Sequence, residues 1–393
     1  MKKVFLYLIA AHLAYCCSYG QLEQFVQNDY FQFQIEKQQA SFNTNFHSDI
    51  RPYNVSDLRG LFDGTENSFS SYLNDSIENK DYIELSPRLF SNAALFSDDS
   101  DAKLASSLFL GLSLTASIQD KLAINVSGFY GTQNPQGWEA ILSDSLSIIP
   151  NWGVAKDGGF NRYFQAFEGY ISYSPDHIFN IELGRGRHFF GDGINSLFLS
   201  SNSNAYPYFK LSTKVWNIKY VNLFSWHRDI RLDPLNKGEW LNKFSATHFL
   251  SWNVSQEVSL SLFETIIWAA RDSLNNRGFD LNYINPVIFY RPIEFSLGSA
   301  DNAMIGLGLK WRASEHWAFY GQWHLDEFLL SNFLNGDGWW ANKFGAQVGL
   351  SRFNAFGVEN LNLKSEFNLV RPFTYSHGNV TQNYGHFNQS LAH

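Results

Sequence analysis

The sequence has 393 residues, a formal charge of −8 and 17% charged side chains, where soluble domains usually have roughly 25%. An acidic balance of this size excludes nucleic acid as an expected partner. Aromatic side chains also make up 17% of the chain. After the N-terminal segment there is no apolar run of about 18 residues, so membrane-spanning helices are excluded. A chain that is rich in aromatic residues, poor in charge and without such helices is typical of a transmembrane β-barrel.

Residues 1–20 have the pattern of a cleaved secretory signal peptide. Lys2 and Lys3 precede an apolar run from Val4 to Ala14, and Gly20 stands at the predicted cleavage site. Cleavage there removes two positive charges, which takes the formal charge from −8 to −10. It also removes both cysteines, so no disulfide framework is expected in the exported chain.

A lipoprotein anchored through Cys16 or Cys17 is the alternative interpretation of this segment, and the bulky Tyr15 argues against it. Residues 21–82 are polar and predict a periplasmic lead-in, with one short helix between Leu22 and Ala40. The mixed run from Phe46 to Pro52 stands out within this lead-in.

From Ile83 onward the pattern changes to runs in which apolar side chains recur at every second position, which predicts strands with one apolar face. Residues 83–393 are therefore assigned to the barrel. The clearest run places these residues on one face: Leu108, Leu110, Leu112, Leu114, Ala116 and Ile118. Many runs approach about ten residues, a length that suits a tilted membrane strand better than the usual five or six. A soluble β-sandwich also alternates, so alternation leaves that alternative open.

Connection lengths favour the barrel, because short and long connections alternate along the chain. The short turns are Gln119–Lys121, Ser174–His177, Ser212–Lys214, Ser255–Glu257 and Ala313–Glu315. The long connections are Gln133–Gly159, Gly191–Ala205, Asp229–Leu241, Arg271–Asn302 and Leu330–Asn342. Outer-membrane barrels have short periplasmic turns and long outward loops, whereas a sandwich has no reason for such parity.

The predicted fold class is therefore an all-β, antiparallel transmembrane outer-membrane β-barrel with a short N-terminal periplasmic segment. About 13 strands are expected between Ile83 and Val370. Because this number is odd, the chain is predicted to be C-terminally incomplete, ending in an outward loop at His393. The stretch from Glu182 to Pro207 is predicted to be an outward loop that helps to close the mouth of the barrel.

Four blocks of the sequence resemble the capsule assembly protein Wzi family. The blocks are Gly184–Gly193 with Ser196–Ser200, Leu281–Pro286 with Arg291–Pro292 and Glu294–Gly298, Tyr320–Trp323 with Asp326–Phe328, and Gly338–Lys343. The resemblance spans Phe46 to His393 and is closest to the Bacteroidota branch, which includes proteins named after the gliding-motility protein RemB. It implies an eighteen-stranded outer-membrane barrel with a small periplasmic helical part, and a lectin that holds group 1 capsular polysaccharide at the cell surface.

Ten side chains are candidates for contacting glycan or for closing the mouth: Arg185, Arg187, His188, Asp192, Asn195, Asp326, Glu327, Trp339, Trp340 and Asn342. In one interpretation the two arginines bind acidic sugar groups bidentately. In the other they pair with Asp192, Asp326 or Glu327 and brace the loop. The two tryptophans fit either a platform for sugar rings or the aromatic belt of the membrane interface.

Several kinds of chemistry are not expected. Asp326 and Glu327 point to opposite faces of a strand, so they do not form a glycosidase pair. The glycine-rich stretch lacks the spacing of a phosphate-binding loop, and the eleven histidines lack metal-ligand spacing. No catalytic residue, metal or cofactor is predicted.

The sequence thus predicts a non-enzymatic protein of the cell outer membrane whose partners are surface polysaccharide and membrane lipid. One alternative is a gliding-motility surface component, whose partners include gliding or secretion machinery proteins. The other is a diffusion porin. The long connections Gly191–Ala205 and Arg271–Asn302 favour an occluded mouth over an open pore.

Overall fold

The computed structural model describes residues 29–41, 45–62, 82–98, 101–118, 121–149, 152–158, 161–230, 240–271, 277–287, 301–326 and 342–392. The predicted signal peptide lies outside this part of the chain, as do the candidate residues Glu327, Trp339 and Trp340. None of the helices in the described part is long and apolar enough to cross a membrane.

One antiparallel sheet contains thirteen long strands, and nearly all of them pair with their neighbours in chain order. The strands are β2 (Tyr82–Asp98), β3 (Asp101–Ile118), β4 (Leu122–Asn134), β8 (Asn161–Tyr173), β9 (Phe179–Gly186), β11 (Tyr206–Val215), β12 (Ile218–Asp229), β13 (Leu241–Asn253), β14 (Val258–Ala269), β15 (Asn302–Ser314), β16 (Trp317–Leu325), β17 (Phe344–Arg352) and β18 (Leu363–Val370). The predicted fold class and strand number are confirmed.

The remaining elements are short. The short strands are β1 (Ile50–Arg51), which pairs with β10 (Phe189–Phe190), β5 (Ile148–Ile149) with β6 (Gly153–Val154), β7 (Lys156–Gly158) with β8, and β19 (Gly385–His386) with β20 (Gln389–Ser390). The helices are α1 (Asp29–Ser41), α2 (Val55–Phe62) and α3 (Trp138–Leu146), with 3-10 turns at Leu281–Ile284, Ala355–Gly357 and Val380–Gln382.

The two faces of the sheet differ in polarity as the alternation predicts. On the outer face of β3, Leu110 and Leu112 are exposed, while Ser113 and Thr115 on the inner face are buried. The same contrast separates exposed Leu183 from buried Glu182 on β9. An apolar outer face and a polar inner face are characteristic of a β-barrel that stands in lipid.

The connections define two ends of the sheet. We call one the short-turn end; it has the connections 119–121, 174–178, 216–217, 254–257, 315–316 and 353–362. We call the other the long-connection end; it has the connections 135–160, 187–205, 230–240, 270–301 and 326–343. Strands β2 and β3 are separated by only two residues at the long-connection end, which is the exception to this pattern. Parity therefore holds for most of the sheet.

The sheet curves around its inner side, which we call the lumen. Helix α2 contacts β11 and β12 through Asp57, while α1 contacts β15 and β18 through Gln39 and Glu36. Strands that are far apart in the sheet thus contact the same small N-terminal segment, which requires strong curvature.

The described part of the connection between β14 and β15 does not lie over the lumen. Its described residues 277–287, which we call the outer strap, pack on the outer face of β12, β13 and β14. The expectation that this long connection helps to occlude the mouth is therefore wrong for this part of it. Its aromatic side chains Phe279 and Tyr283 pack into an apolar cluster on the outer wall.

Candidate functional site: a filled lumen and its mouth

The N-terminal segment closes the lumen at the short-turn end through buried ion pairs. Asp57 Oδ1 lies 2.5 Å from Lys214 Nζ, and Asp57 Oδ2 lies 2.7 Å from Lys219 Nζ. Both lysines sit at inward positions beside the 216–217 turn. Burial raises the pKa of the Asp57 carboxyl, but the two ammonium groups together lower it by a larger amount. The pKa of Asp57 therefore lies below its usual range.

The connection 187–205 enters the lumen from the long-connection end and reaches the same short-turn level. Asp192 Oδ1 accepts hydrogen bonds from Lys310 Nζ at 3.0 Å and from Ser48 Oγ at 2.6 Å. Lys364 Nζ donates to the Asp192 carbonyl oxygen at 3.0 Å and pairs with Glu36 Oε1 at 2.9 Å. The charged partners of the connection 187–205 lie deep on the inner wall. The connection, which we call the plug, therefore fills the lumen and does not spread over the opening at the long-connection end, which we call the mouth.

A second carboxyl beside Asp192 is held in a different state. Asp49 Oδ1 accepts from Ser251 Oγ at 2.7 Å. Burial, together with the nearby Asp192 charge, raises the pKa of Asp49 to about 7. For Asp192 burial also raises the pKa, but Lys310 lowers it below its usual range. The pair thus has one firmly ionised carboxylate and one carboxyl that titrates near neutrality.

Backbone pairing holds the lead-in to the connection. Strand β1 pairs with β10, and Gly191 N–H donates to the Asp49 carbonyl oxygen at 2.8 Å. Gly191 has φ +136, and a Cβ there would lie 1.9 Å from Gln322 Nε2. The backbone angle favours glycine at this position, and a Cβ would also force the Gln322 amide to move.

Aromatic side chains fill the middle of the lumen. Phe190 stacks on Phe249 with ring centroids 4.6 Å apart, and Phe198 stacks on Phe263 at 5.0 Å. These four rings are buried in one apolar cluster with inner-wall residues of β12 and β15. A lumen filled by stacked rings is a packed core, unlike the water-filled interior of a porin.

The C-terminal segment, residues 371–392, covers the lumen at the long-connection end. Tyr375 Oη donates to the Leu197 carbonyl oxygen at 2.8 Å, and Ser200 N–H donates to the Leu391 carbonyl oxygen at 2.6 Å. Lys243 Nζ on β13 donates to the Asn383 carbonyl oxygen at 2.8 Å. Three layers of protein therefore cross the lumen from one end to the other.

Three histidines surround Tyr206 beneath this cover. The rings of His227 and His386 lie 4.9 and 6.0 Å from the Tyr206 ring, and His188 Nδ1 lies 3.4 Å from its hydroxyl. Burial lowers the pKa of both His188 and His386 well below the usual range, so both rings are neutral at physiological pH. Through this cluster the C-terminal segment, which contains His386, packs on the wall strands that contain Tyr206 and His227.

The two candidate arginines point to different sides of the wall. Arg185 lies on the outer face of β9, where its Nε donates to the Phe167 carbonyl oxygen at 3.1 Å. Arg187 lies at the mouth, with Nη2 at 2.9 Å from Glu168 Oε1. The predicted pairing with Asp192, Asp326 or Glu327 is therefore wrong for the described partners, because the connection carries Asp192 away into the lumen.

The other described candidates are also dispersed. Asn195 donates its N–H to Glu366 Oε1 at 3.2 Å, on the inner wall. Asp326 and Asn342 lie beside the C-terminal segment, where they accept from Tyr375 N–H at 2.9 Å and Arg371 Nη1 at 2.7 Å. The described candidates do not converge on one ligand site. Apart from the two arginines, they lie in the connection 187–205 or beside the C-terminal segment.

Two tryptophan–arginine pairs lie at the long-connection end, and of their four residues only Arg187 was among the candidates. The Arg187 guanidinium lies 5.6 Å from the ring centroid of Trp152, and the Arg228 guanidinium lies 5.7 Å from that of Trp240. Both tryptophans are only partly buried and adjoin apolar clusters at the mouth. Such pairs place an aromatic ring beside fixed positive charge, a combination that suits acidic sugars.

The luminal lysines were also missed. Lys210, Lys214, Lys219, Lys310 and Lys364 all occupy inward positions of the strand alternation. An inward lysine requires an acidic partner. That signal was present in the sequence. Asp57 and Glu36 of the lead-in are the partners of Lys214, Lys219 and Lys364, whereas Lys310 pairs with Asp192 and Lys210 pairs with Glu182 of β9. Within the described residues, no cluster of three His, Cys, Asp or Glu side chains is placed to hold a metal ion.

Curvature, facial polarity and connection lengths together define the fold as that of the outer-membrane β-barrel proteins. No protein-family model and no curated protein sequence matches the chain. Among solved structures the chain is similar to Wzi from Escherichia coli, described as a carbohydrate-binding outer-membrane β-barrel involved in group 1 capsule assembly. The TM-score is 0.54 at 12% identity, over 94% of this chain and 78% of Wzi.

Two channel proteins align less well. OccK11 from Pseudomonas aeruginosa gives a TM-score of 0.34 at 10% identity, over 73% of this chain and 78% of that one. An anion-selective porin from Comamonas acidovorans gives a TM-score of 0.33 at 11% identity, over 78% of this chain and 94% of the porin. At these identities the similarities concern the fold alone.

Proposed function

We propose that this chain is a non-enzymatic outer-membrane protein that binds surface polysaccharide, either capsular or exopolysaccharide, and retains it at the cell surface. The observation on which the proposal rests is the filled lumen. Asp192 on the plug pairs with Lys310 on the wall, and the C-terminal segment covers the opposite end. A barrel filled in this way is suited to binding at its long-connection end rather than to diffusion through its interior.

The ligand class is supported by two independent features. The sequence blocks and the fold both resemble Wzi, which is described as a carbohydrate-binding barrel. The mouth also presents the pairs Trp152–Arg187 and Trp240–Arg228. Aromatic faces stack on the C–H surfaces of sugar rings, and guanidinium groups bind the carboxylates of acidic sugars.

A gliding-motility surface component is the second candidate, favoured by the resemblance of the sequence blocks to the RemB-like branch. A strain that lacks the gene separates the two. Retention predicts that polysaccharide moves from the cell surface into the medium and returns when the gene is restored. Unchanged surface polysaccharide together with lost colony spreading would reject retention and favour motility.

A substitution at the mouth gives a sharper test. Trp240→Ala is expected to lower the amount of cell-bound polysaccharide several-fold without changing the amount of protein in the membrane. Trp317→Ala is the matched control, because Trp317 also lies under an arginine, with the Arg352 guanidinium 4.7 Å from its ring, but at the short-turn end. Equal loss of polysaccharide in both variants would contradict binding at the mouth.

A further inference from the structure

The outer strap is fixed to the barrel at the long-connection end. Arg277 Nη1 lies 2.8 and 2.7 Å from the two carboxylate oxygens of Asp301, and Tyr283 Oη donates to Asp301 Oδ2 at 2.7 Å. The Tyr283 ring packs on Trp268 with centroids 4.8 Å apart. The strap thus begins where the extramembrane loops of a barrel begin.

From this anchor the strap descends along the outer wall. The ring Nε2 of His248 lies 3.0 Å from the Asn285 carbonyl oxygen, and Tyr220 Oη donates to the Pro286 carbonyl oxygen at 2.9 Å. Tyr220 pairs in register with Leu250, only three residues before β13 ends at the short-turn end. The strap therefore passes the midpoint of the strand that it covers.

Beneath the strap lies a row of polar side chains that face outward. Asn222, His248 and Glu264 stand in register on three adjacent strands, and all three are buried. His248 Nδ1 lies 3.6 Å from Glu264 Oε2. Polar side chains at mid-height on the outer wall of a barrel are costly when they meet lipid directly.

The same ladder row is apolar and exposed on both sides of the strap. On one side it continues through Leu211 to Ile181, which is 41% exposed. On the other side Glu264 pairs with Ile305, which is 46% exposed. The strap is thus flanked at its own level by the apolar face that meets lipid elsewhere on the barrel.

The strap has the two properties that a segment in lipid requires. Most of its outward side chains are apolar, since Leu281, Ile284 and Val287 are exposed while Tyr283 is buried. The exposed Asn282 is the polar exception, and its Nδ2 donates to Asp280 Oδ1 at 2.8 Å. Several of its backbone groups have partners, among them the Asn285 and Pro286 carbonyl oxygens that contact His248 and Tyr220. Tyr283 N–H donates to the Asp280 carbonyl oxygen, and Val287 N–H donates to Asn285 Oδ1. Irregular backbone is tolerated at membrane depth where it is packed against protein, and the strap packs on the outer wall through Tyr283 and through its bonds to His248 and Tyr220.

We propose that residues 281–287 lie within the hydrocarbon layer of the membrane, with Leu281, Ile284 and Val287 in contact with acyl chains. The strap insulates the Asn222–His248–Glu264 row from lipid. It is therefore a membrane-embedded part of the wall and not an extracellular loop. Its partner is the lipid acyl chain.

Spin labelling of the full chain in liposomes tests this placement. A nitroxide at Ile284→Cys or Val287→Cys is compared with one at Ile305→Cys on the lipid-facing wall and one at Glu315→Cys in a short turn. Collision rates with oxygen report lipid, and those with a water-soluble nickel chelate report water. The heat-modifiable mobility of each variant on a gel shows that the barrel has formed.

We expect the oxygen-to-nickel collision ratio at positions 284 and 287 to match Ile305→Cys and to exceed Glu315→Cys several-fold. A ratio equal to that of Glu315→Cys would place the strap in water and overturn the proposal. Low collision rates with both reagents would also overturn it, because they would show that a protein covers the strap. Leu281→Cys repeats the comparison if a deeper variant does not insert.

Discussion

Lys310 Nζ and Asp192 Oδ1 lie 3.0 Å apart although 118 positions separate them in the chain. One residue belongs to a wall strand near the short-turn end, and the other belongs to a connection that starts at the opposite end. Their contact joins the plug to the wall, and Ser48 Oγ from the lead-in donates to the same carboxylate. The ion pair thus links three parts of the chain at one point.

Lys310→Met is therefore expected to destabilise the folded protein. Removing one partner of a buried pair leaves an uncompensated charge and costs about 3–5 kcal/mol. The measurement is the urea midpoint followed by tryptophan fluorescence in detergent. Lys214→Met is the matched control, since Lys214 is 32% exposed and Asp57 keeps Lys219 as a partner. Equal shifts of the urea midpoint in the two variants would contradict a larger contribution of the Lys310–Asp192 pair to stability.

The fit of Phe198 into the wall gives a second prediction. A Cβ at Gly306 would lie 2.2 Å from Phe198 Cε1, so Gly306→Val expels the ring and costs about 1–3 kcal/mol. Limited proteolysis is expected to cut the connection 187–205 faster in this variant. Gly128→Val is the control, because a Cβ at this outward glycine meets nothing within 4 Å. Unchanged cleavage of Gly306→Val would refute the packed lumen.

Docking of the lead-in is expected to depend on pH through Asp49. Its pKa is about 7 in the docked state, compared with a usual value of 3.8. Between these values the docked state binds more protons, so docking weakens as pH rises from about 4 to 7 and then levels off. Asp49→Asn removes this dependence. Its advantage over the wild type in hydrogen-exchange protection of residues 45–53 should therefore grow up to pH 7 and stay constant above it.

The titration of His47 has the opposite effect on docking, and this effect is the same in the wild type and in Asp49→Asn. Burial and the nearby lysines lower the pKa of His47 to about 3, so the docked state binds fewer protons below pH 6.5 and docking weakens in acid. Because both proteins contain His47, its effect cancels in their difference. A difference that does not change with pH would show that Asp49 does not titrate in this interface.

The strands of the wall were predictable because the alternation of apolar and polar residues along each strand shows which side chains face outward. The alternation through Leu108–Ile118 and the parity of the turns gave the sheet, its two faces and its two ends. The path of the connection 187–205 was not predictable, because a polar loop has the same local pattern whether it turns inward or outward. The Arg187–Glu168 pair lies between adjacent strands and was within reach of register arguments, whereas Lys310–Asp192 depends on the tertiary fold.

Single-channel recording in planar bilayers tests the filled lumen most directly. The full chain is reconstituted and compared with a diffusion porin under the same salt and voltage. We expect the chain to insert without a large steady conductance, because the lead-in, the plug and the C-terminal segment all cross the lumen. A large and steady conductance would contradict the filled lumen and would favour a diffusion porin over a polysaccharide-retaining barrel.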